Sequence, residues 1–415
     1  MLSTSSQRSP LLKNTVALYG VQLSVLVIPI ISIPYLSRIL QAEIFGVYMY
    51  CLSLAIWFSM VIEYGFQLSA TRSIAEAQGD GHRVASVVHQ VHSAKLLLTL
   101  LAVVGLVLFY YFGSLSRSNF DWYIATVVYS IVLGFRPTWY FQGKEELTVN
   151  SILEVGSGIL SLVLIFLFIK KPEDGVWALV FQCGAKAAAY LITNGMIYRQ
   201  VGGFKVSITG AIEALRDGFS MFVFTASVSL YTTANGLLLG FFAPTVIVGG
   251  FLSAEKITKA GLSLLGPLSQ AMFPRITAVA GQNPEQAKMM ALLMTAFMAV
   301  FGVTGAVLLY WLSPWLVPLI LGTGYESVIP IMRVLSLLIP LIALSNVFGI
   351  QYLLPKRKDK IFNQIIISAG AVNLILAILL AEHFQAIGMA WAVVISEAFV
   401  TFAMMMVVIK NKFTY

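Results

Sequence analysis

Charge is scarce in this chain: 11% of its 415 residues are Asp, Glu, Lys or Arg, against about 25% in a soluble domain. With 59% hydrophobic residues it is too apolar for a soluble globular fold. Cysteine is nearly absent, and Cys51 and Cys183 both lie inside apolar runs, so no disulfide framework and no metal-ligand spacing can be read. The ten-residue segments of alternating polarity that a membrane barrel needs are missing, which excludes that class. Enzyme signatures are missing as well. The Gly143-Lys144 pair lacks the upstream glycine and the following Ser or Thr of a phosphate-binding loop, and neither His-Glu-x-x-His nor Cys-x-x-Cys occurs. No cofactor, metal site or catalytic residue is therefore expected. The first ten residues lack the charged start, short apolar core and small-residue exit of a cleavable leader, so targeting is expected from the first membrane helix itself.

What is present is a series of long apolar runs. Stretches such as 96–112, 152–169 and 291–312 approach or reach the roughly 20 helical residues that cross about 30 Å of hydrocarbon. Spans are read at 14–39, 44–70, 84–112, 121–142, 149–169, 175–198, 218–242, 245–274, 287–312, 327–354, 361–381 and 386–409. Of the 26 lysines and arginines, six fall within spans and four (Arg38, Arg117, Lys170, Lys171) lie on one side; the other sixteen share the side of both termini. The positive-inside rule then places both termini and the Lys356–Lys360 loop in the cytoplasm. This bias accounts for most of the net charge of +8 without a nucleic-acid partner.

The chain also repeats itself. IFGVYM at Ile44 aligns with IVGGFL at Ile247, and Arg72 with Arg275, at an offset of 203. Asn150 aligns with Asn363 and Gly175 with Gly388 at an offset of 213, and the proline- and glycine-rich segment 314–324 is read as the extra ten residues. Six helices per repeat return the chain to its starting side, so the halves are parallel. The expected fold class is all-α: a polytopic membrane protein of about 12 transmembrane helices in two parallel six-helix lobes, 1–200 and 201–415, around a central cavity. Pro29 and Pro34 lie five residues apart in the first span and are read as a hinge, with Pro267, Pro330 and Pro340 as further bends.

Charges inside hydrocarbon are costly and point to function by default. Six cations lie within spans: Lys95, Arg136, Lys186, Lys256, Lys259 and Arg333. Arg136 and Arg333 sit near span ends and are read as snorkelling. Lys256 is roughly 17 Å from the start of its helix, too deep for that escape. It shares a face with Lys259, and Glu255 stands four residues before Lys259 in the favourable order for an ion pair. The pair is expected to face an aqueous cavity and an anionic substrate, with Lys256 left unneutralised. Glu154 and Lys186 are expected to pair between helices, Glu397 to polarise the other lobe, and Glu63 to have no evident structural role. Arg72 and Arg275 are read either as headgroup anchors or as phosphate contacts at the cavity mouth, and His82, His89 and His92 as solvated or snorkelling.

The segments IPYLSRILQAEIFGVY from Ile33, EYGFQLSATRSIAEA from Glu63, TWYFQGKEE from Thr138, SQAMFPRIT from Ser269, GTGYE from Gly322 and SNVFGIQYLL from Ser345 resemble the bacterial polysaccharide exporter family, specifically O-antigen flippases of the Wzx type. The resemblance covers nearly the whole chain. One departure is visible: such proteins commonly have Leu-Gly after the first-helix arginine, whereas here Leu40 precedes Gln41. The resemblance implies the two-lobed fold of the multidrug/oligosaccharidyl-lipid/polysaccharide superfamily and alternating-access transport of undecaprenyl-diphosphate-linked oligosaccharide across the bacterial inner membrane. The expected partners are that lipid-linked oligosaccharide, membrane lipids and a polysaccharide polymerase complex. Expected substrate contacts are Lys256, Lys259, Glu63, Arg72, Arg275, Arg38 and Arg333, with Tyr35, Tyr64, Trp139, Tyr140 and Tyr352 as sugar-stacking candidates. Two other readings compete. An ion-coupled multidrug exporter for cations should carry acidic residues in its cleft, yet cations exceed acids within the spans. A membrane glycosyltransferase or polymerase should have long catalytic loops, which the spacing of the spans does not leave.

Overall fold

A computed structural model of the chain describes residues 8–112, 120–263, 272, 276, 279, 282–356 and 358–410; of 8–19, 112 and 284 only the backbone is described. Among the described residues every regular element is helical. Seven helices among the described residues are long and apolar enough to cross a bilayer. The chain divides into two compact units, Met1–Ala226 and Ser227–Tyr415.

The first unit holds α1 (Arg8–Glu63), α2 (Phe66–Glu76), α3 (Gly81–Phe112), α4 (Phe120–Gly134), α5 (Thr138–Gly143), α6 (Leu147–Phe168), α7 (Gly175–Val201) and most of α8 (Ile208–Thr232). Helix α1 packs on α4, α6, α3 and α7. At 56 residues it is about twice the length a bilayer requires, and it contains the expected span 14–39 and most of 44–70, whose last residues lie past the helix end at Glu63. The division falls at Gln41, with φ 59° and ψ 171°. That backbone region is nearly reserved for glycine, so the position where the chain departs from the resembled family's Leu-Gly is the one where the backbone reverses. Pro29 and Pro34, the expected hinge residues, lie within helical backbone.

A second break follows Glu63, where Tyr64 (φ 48°) and Gly65 (φ 74°) are both left-handed. A Cβ at Gly65 would stand 3.0 Å from the backbone of Met221 and Phe222, so only glycine permits this approach. Beyond the break, Phe66, Ile74, Trp139, Tyr140 and Phe141 form a local core between α2 and α5.

The second unit continues with α9 (Asn235–Leu239), α10 (Thr245–Ser263), α11 (Pro284–Leu321), α12 (Val328–Leu335), α13 (Leu338–Asn346), a π-helical turn (Val347–Leu353) and α14 (Asp359–Lys410). Helix α14 repeats the device of α1: its 52 residues hold two expected spans, divided at Gln385 (φ 48°). Two boundaries differ from expectation. Helix α11 runs past the expected span end at 312, through Pro314 and Pro318, to Leu321, because each proline costs a single backbone donor that a long apolar helix tolerates. The expected span at 327–354 is segmented into α12, α13 and the π-turn. Pro267 lies outside the described residues.

Three expected spans are not among the seven long apolar helices: 121–142, 218–242 and 245–274. Helix α4 has only 15 residues before Phe135-Arg136-Pro137, α8 ends at Thr232, and α10 carries Glu255, Lys256 and Lys259 within five residues. These interrupted or charged helices hold the chemistry.

Candidate functional site: buried charges at helix breaks

In the first unit the short helix α4 ends inside the apolar region, where a carbonyl without a donor costs several kcal/mol by order of magnitude. The carbonyls of Gly134, Phe135 and Arg136, at and just past its end, are met by side chains. The fully buried Lys95 of α3 donates from Nζ to the Gly134 carbonyl at 2.8 Å and to that of Arg136 at 3.4 Å. Asn194 of α7 donates to the Phe135 carbonyl at 3.1 Å. An ammonium at a helix C-terminus also meets the negative end of the helix dipole.

The side chain of Arg136 turns to Glu154 of α6, with Nη2 at 3.4 Å from Oε1, so it is paired and does not snorkel freely. Lys186 of α7 donates to the same oxygen at 2.8 Å, as the interhelical expectation required. Tyr190 donates to Oε1 and Oε2 at 3.1 and 3.2 Å. Glu154 thus holds two cations and a phenol. Lys186, Tyr190 and Asn194 stand on one face of α7 at intervals of four, a stripe that was open to inspection in the sequence. Glu63, half-buried at the end of α1, lies within electrostatic reach of Lys95 and Arg136.

His92 corrects an expectation. It is 1% exposed rather than solvated, held between the Val88 carbonyl at 3.0 Å and Asn194 Oδ1 at 3.1 Å. His89 reaches the Gly203 carbonyl at 3.1 Å, and His82 is exposed.

The second unit uses the same device with fewer partners. Lys259 of α10 donates to the Thr232 carbonyl at the end of α8 at 2.7 Å and to Glu255 at 2.9 Å. Asn235, fully buried where α9 begins, donates to Glu255 at 3.4 Å. Lys259 is therefore a helix cap as well as half of an ion pair, a role its spacing could not reveal because the Thr232 break is not visible in hydropathy. Lys256, half-buried one residue from Glu255, has no hydrogen bond or ion pair with any described residue.

The other expected contacts are dispersed. Arg72 is exposed on α2 and forms a surface pair with Glu76 at 3.9 Å. Arg38 is exposed three residues before the Gln41 break. Arg333 of α12 stacks at 5.1 Å over the Tyr310 ring of α11. Arg275 lies outside the described residues. Of the aromatic candidates, Trp139, Tyr140 and Tyr352 are core residues at 0%, 1% and 2% exposure, so they present no ring face to a sugar. Tyr64 stacks on Phe222 at 4.3 Å, and Tyr35 packs on Phe166 while donating to the Ile169 carbonyl at 2.7 Å.

Fold and charge pattern together define a multi-pass helical membrane protein that keeps cations inside its spans. Residues 11–279 match the family described as polysaccharide biosynthesis protein, and the chain belongs to that family. A protein of Escherichia coli (strain K12), provisionally named an O-antigen transporter, is 31% identical over 98% of this chain and 99% of its own length. A Shigella dysenteriae protein of the same name is 28% identical over 95% of this chain and 98% of its own. Both carry the names of transporters, not of enzymes. Among solved structures, the lipid II flippase MurJ in an inward closed conformation superposes with a TM-score of 0.72 at 13% identity, over 95% of this chain and 87% of that one. An inward-facing multidrug resistance MATE family transporter of the MOP superfamily superposes with a TM-score of 0.64 at 15% identity, over 92% and 96%. These two likenesses show that the chain shares the fold of those two transporters.

Proposed function

We propose that this chain flips undecaprenyl-diphosphate-linked O-antigen repeat units from the cytoplasmic to the periplasmic leaflet of the inner membrane, by alternating access of the lobes 1–200 and 201–415. The observation that carries the reading is the likeness to two O-antigen transporters along nearly the entire chain. The geometry supports an anionic cargo. Lys256 keeps an ammonium in the membrane without a described partner, a costly arrangement unless a ligand anion or water meets it, while Glu255 is already held by Lys259. Lys256 is the primary diphosphate contact, with Lys259, Glu63, Arg72, Arg275, Arg38 and Arg333 as further contacts along the path. Both termini are cytoplasmic, and a polysaccharide polymerase receives the product on the far side.

Purified protein in proteoliposomes, given a defined undecaprenyl-diphosphate oligosaccharide, tests this directly. Flipping well above protein-free vesicles is expected. Transport of cationic drugs without transport of the glycolipid would replace the reading by that of a multidrug exporter.

A further inference from the structure

Glu397 of α14 is a buried carboxyl outside the proposed substrate contacts, 7% exposed. Its only hydrogen-bond donor to the side chain among the described residues is the Ser345 hydroxyl, which reaches Oε1 at 2.7 Å; Oε2 has none. Thr401, on the same helix, bonds the backbone carbonyl of Glu397 instead. The ionisable groups within electrostatic reach are Lys259 of α10 and Tyr231 of α8. The other charged or phenolic groups on packed elements are engaged elsewhere: Arg333 on Tyr310 and Tyr352 with Lys356. Lys256 has Glu255 and Lys259 as its charged neighbours.

Lys259, the one cation within electrostatic reach of Glu397 among the described residues, is thus ion-paired with the other buried carboxyl, Glu255, at 2.9 Å, and not with Glu397. A carboxylate in a low-dielectric interior needs a cation or several donors to stay charged. One hydroxyl is not enough. We propose that Glu397 is a proton-binding residue, taking up and releasing a proton as Lys259 shifts between Glu255 and Glu397. On uptake, a proton from water forms an O–H bond at Oε2, Glu397 becomes neutral, and Lys259 stays on Glu255 and the Thr232 carbonyl. On release the proton returns to water, the carboxylate competes for Lys259, and the end of α8 loses its cap. Proton binding is thereby tied to the helix break beside Lys256, and it rests on the flippase reading only where transport is measured.

Infrared difference spectroscopy of the protein in lipid, titrated with pH and without substrate, reads the carboxylic-acid carbonyl stretch. A band that disappears as the pH rises is expected, lost in Glu397→Gln, shifted in Ser345→Ala where the hydrogen bond is gone, and retained in Glu63→Gln. Persistence of an unchanged titrating band in Glu397→Gln, or its absence from the wild type, overturns the assignment. If Glu397→Gln does not fold, an unshifted band in Ser345→Ala overturns it equally. In proteoliposomes carrying undecaprenyl-diphosphate oligosaccharide, an imposed pH gradient should accelerate wild-type flipping and Glu397→Gln should lose that acceleration. Equal wild-type rates with and without the gradient overturn the coupling. No wild-type flipping of this glycolipid removes the flippase reading, while the infrared titration still decides Glu397.

Discussion

Glu154 and Glu397 are both buried carboxyls on apolar helices, and their surroundings differ in one respect. Glu154 is met by Arg136, Lys186 and Tyr190, and the nearby helix end is capped by Lys95 and Asn194. Glu397 has a single hydroxyl, and the Lys259 near it is already shared with Glu255 and the Thr232 carbonyl. A saturated cluster has one low-energy arrangement and resists change. A cluster in which one carboxyl has no ion pair, near a lysine with no hydrogen bond or ion pair to a described residue, has several arrangements of similar energy. The first unit is thus built for rigidity at its break and the second for exchange of partners.

The largest effect should come from breaking the saturated side. Glu154→Gln leaves Arg136 and Lys186 without their carboxylate and should destabilise the protein by about 3–5 kcal/mol, seen as a lowered midpoint of thermal unfolding in detergent; Glu154→Asp should lose less. A change under about 0.5 kcal/mol, the size of an ordinary surface substitution, would mean that the cluster is not what holds this unit.

On the lean side, Lys256→Ala should abolish O-antigen export in cells lacking the wild-type copy, a loss of roughly 2–5 kcal/mol if the ammonium meets a desolvated phosphate, with Lys256→Arg retaining part. Complementation at the wild-type level and matched expression would assign the substrate's charge to other residues, Arg72 and Arg275 first.

A smaller, opposite effect is expected at the turn of α1. Gln41→Gly should raise stability by about 1 kcal/mol, because the φ of 59° disfavours a side chain and not glycine. A fall in stability would show that the glutamine side chain makes contacts worth more than its strain. The smallest effect belongs to Arg72→Ala, whose 3.9 Å pair with Glu76 is two-thirds exposed; stability should move by less than about 0.5 kcal/mol. If its export nevertheless falls as far as that of Lys256→Ala, Arg72 is a substrate contact and not a helix-end charge.

Several features of these sites were legible in the sequence for definite reasons. The Glu255–Lys259 pair follows from helical spacing, and Glu154–Lys186 from similar distances to one connecting turn. Lys95, Asn194 and Ser345 were not legible as partners, since each contacts a group far away in the chain: Gly134, Phe135 and Glu397. The Glu154 partner of Arg136 was not legible either, because depth along a helix says nothing about which neighbour stands beside the guanidinium. Trp139 and Tyr140 were misplaced for a related reason, as an aromatic near a span end fits an interfacial belt, a ligand face and a packed core equally well.

By itself the sequence determined the class of fold: apolar runs of bilayer length permit only helices, the scarcity of charge excludes a soluble chain, and ordered motifs along its length place it among polysaccharide exporters. The tertiary structure alone decided where those helices stop and what meets their open ends. Hydropathy averages over some twenty residues, whereas a helix break is settled by a few backbone angles and by single donors brought from distant helices, as Lys95 and Lys259 are. Whether a buried charge is saturated like Glu154 or sparsely held like Glu397 depends on those donors, so it is fixed only when the helices pack.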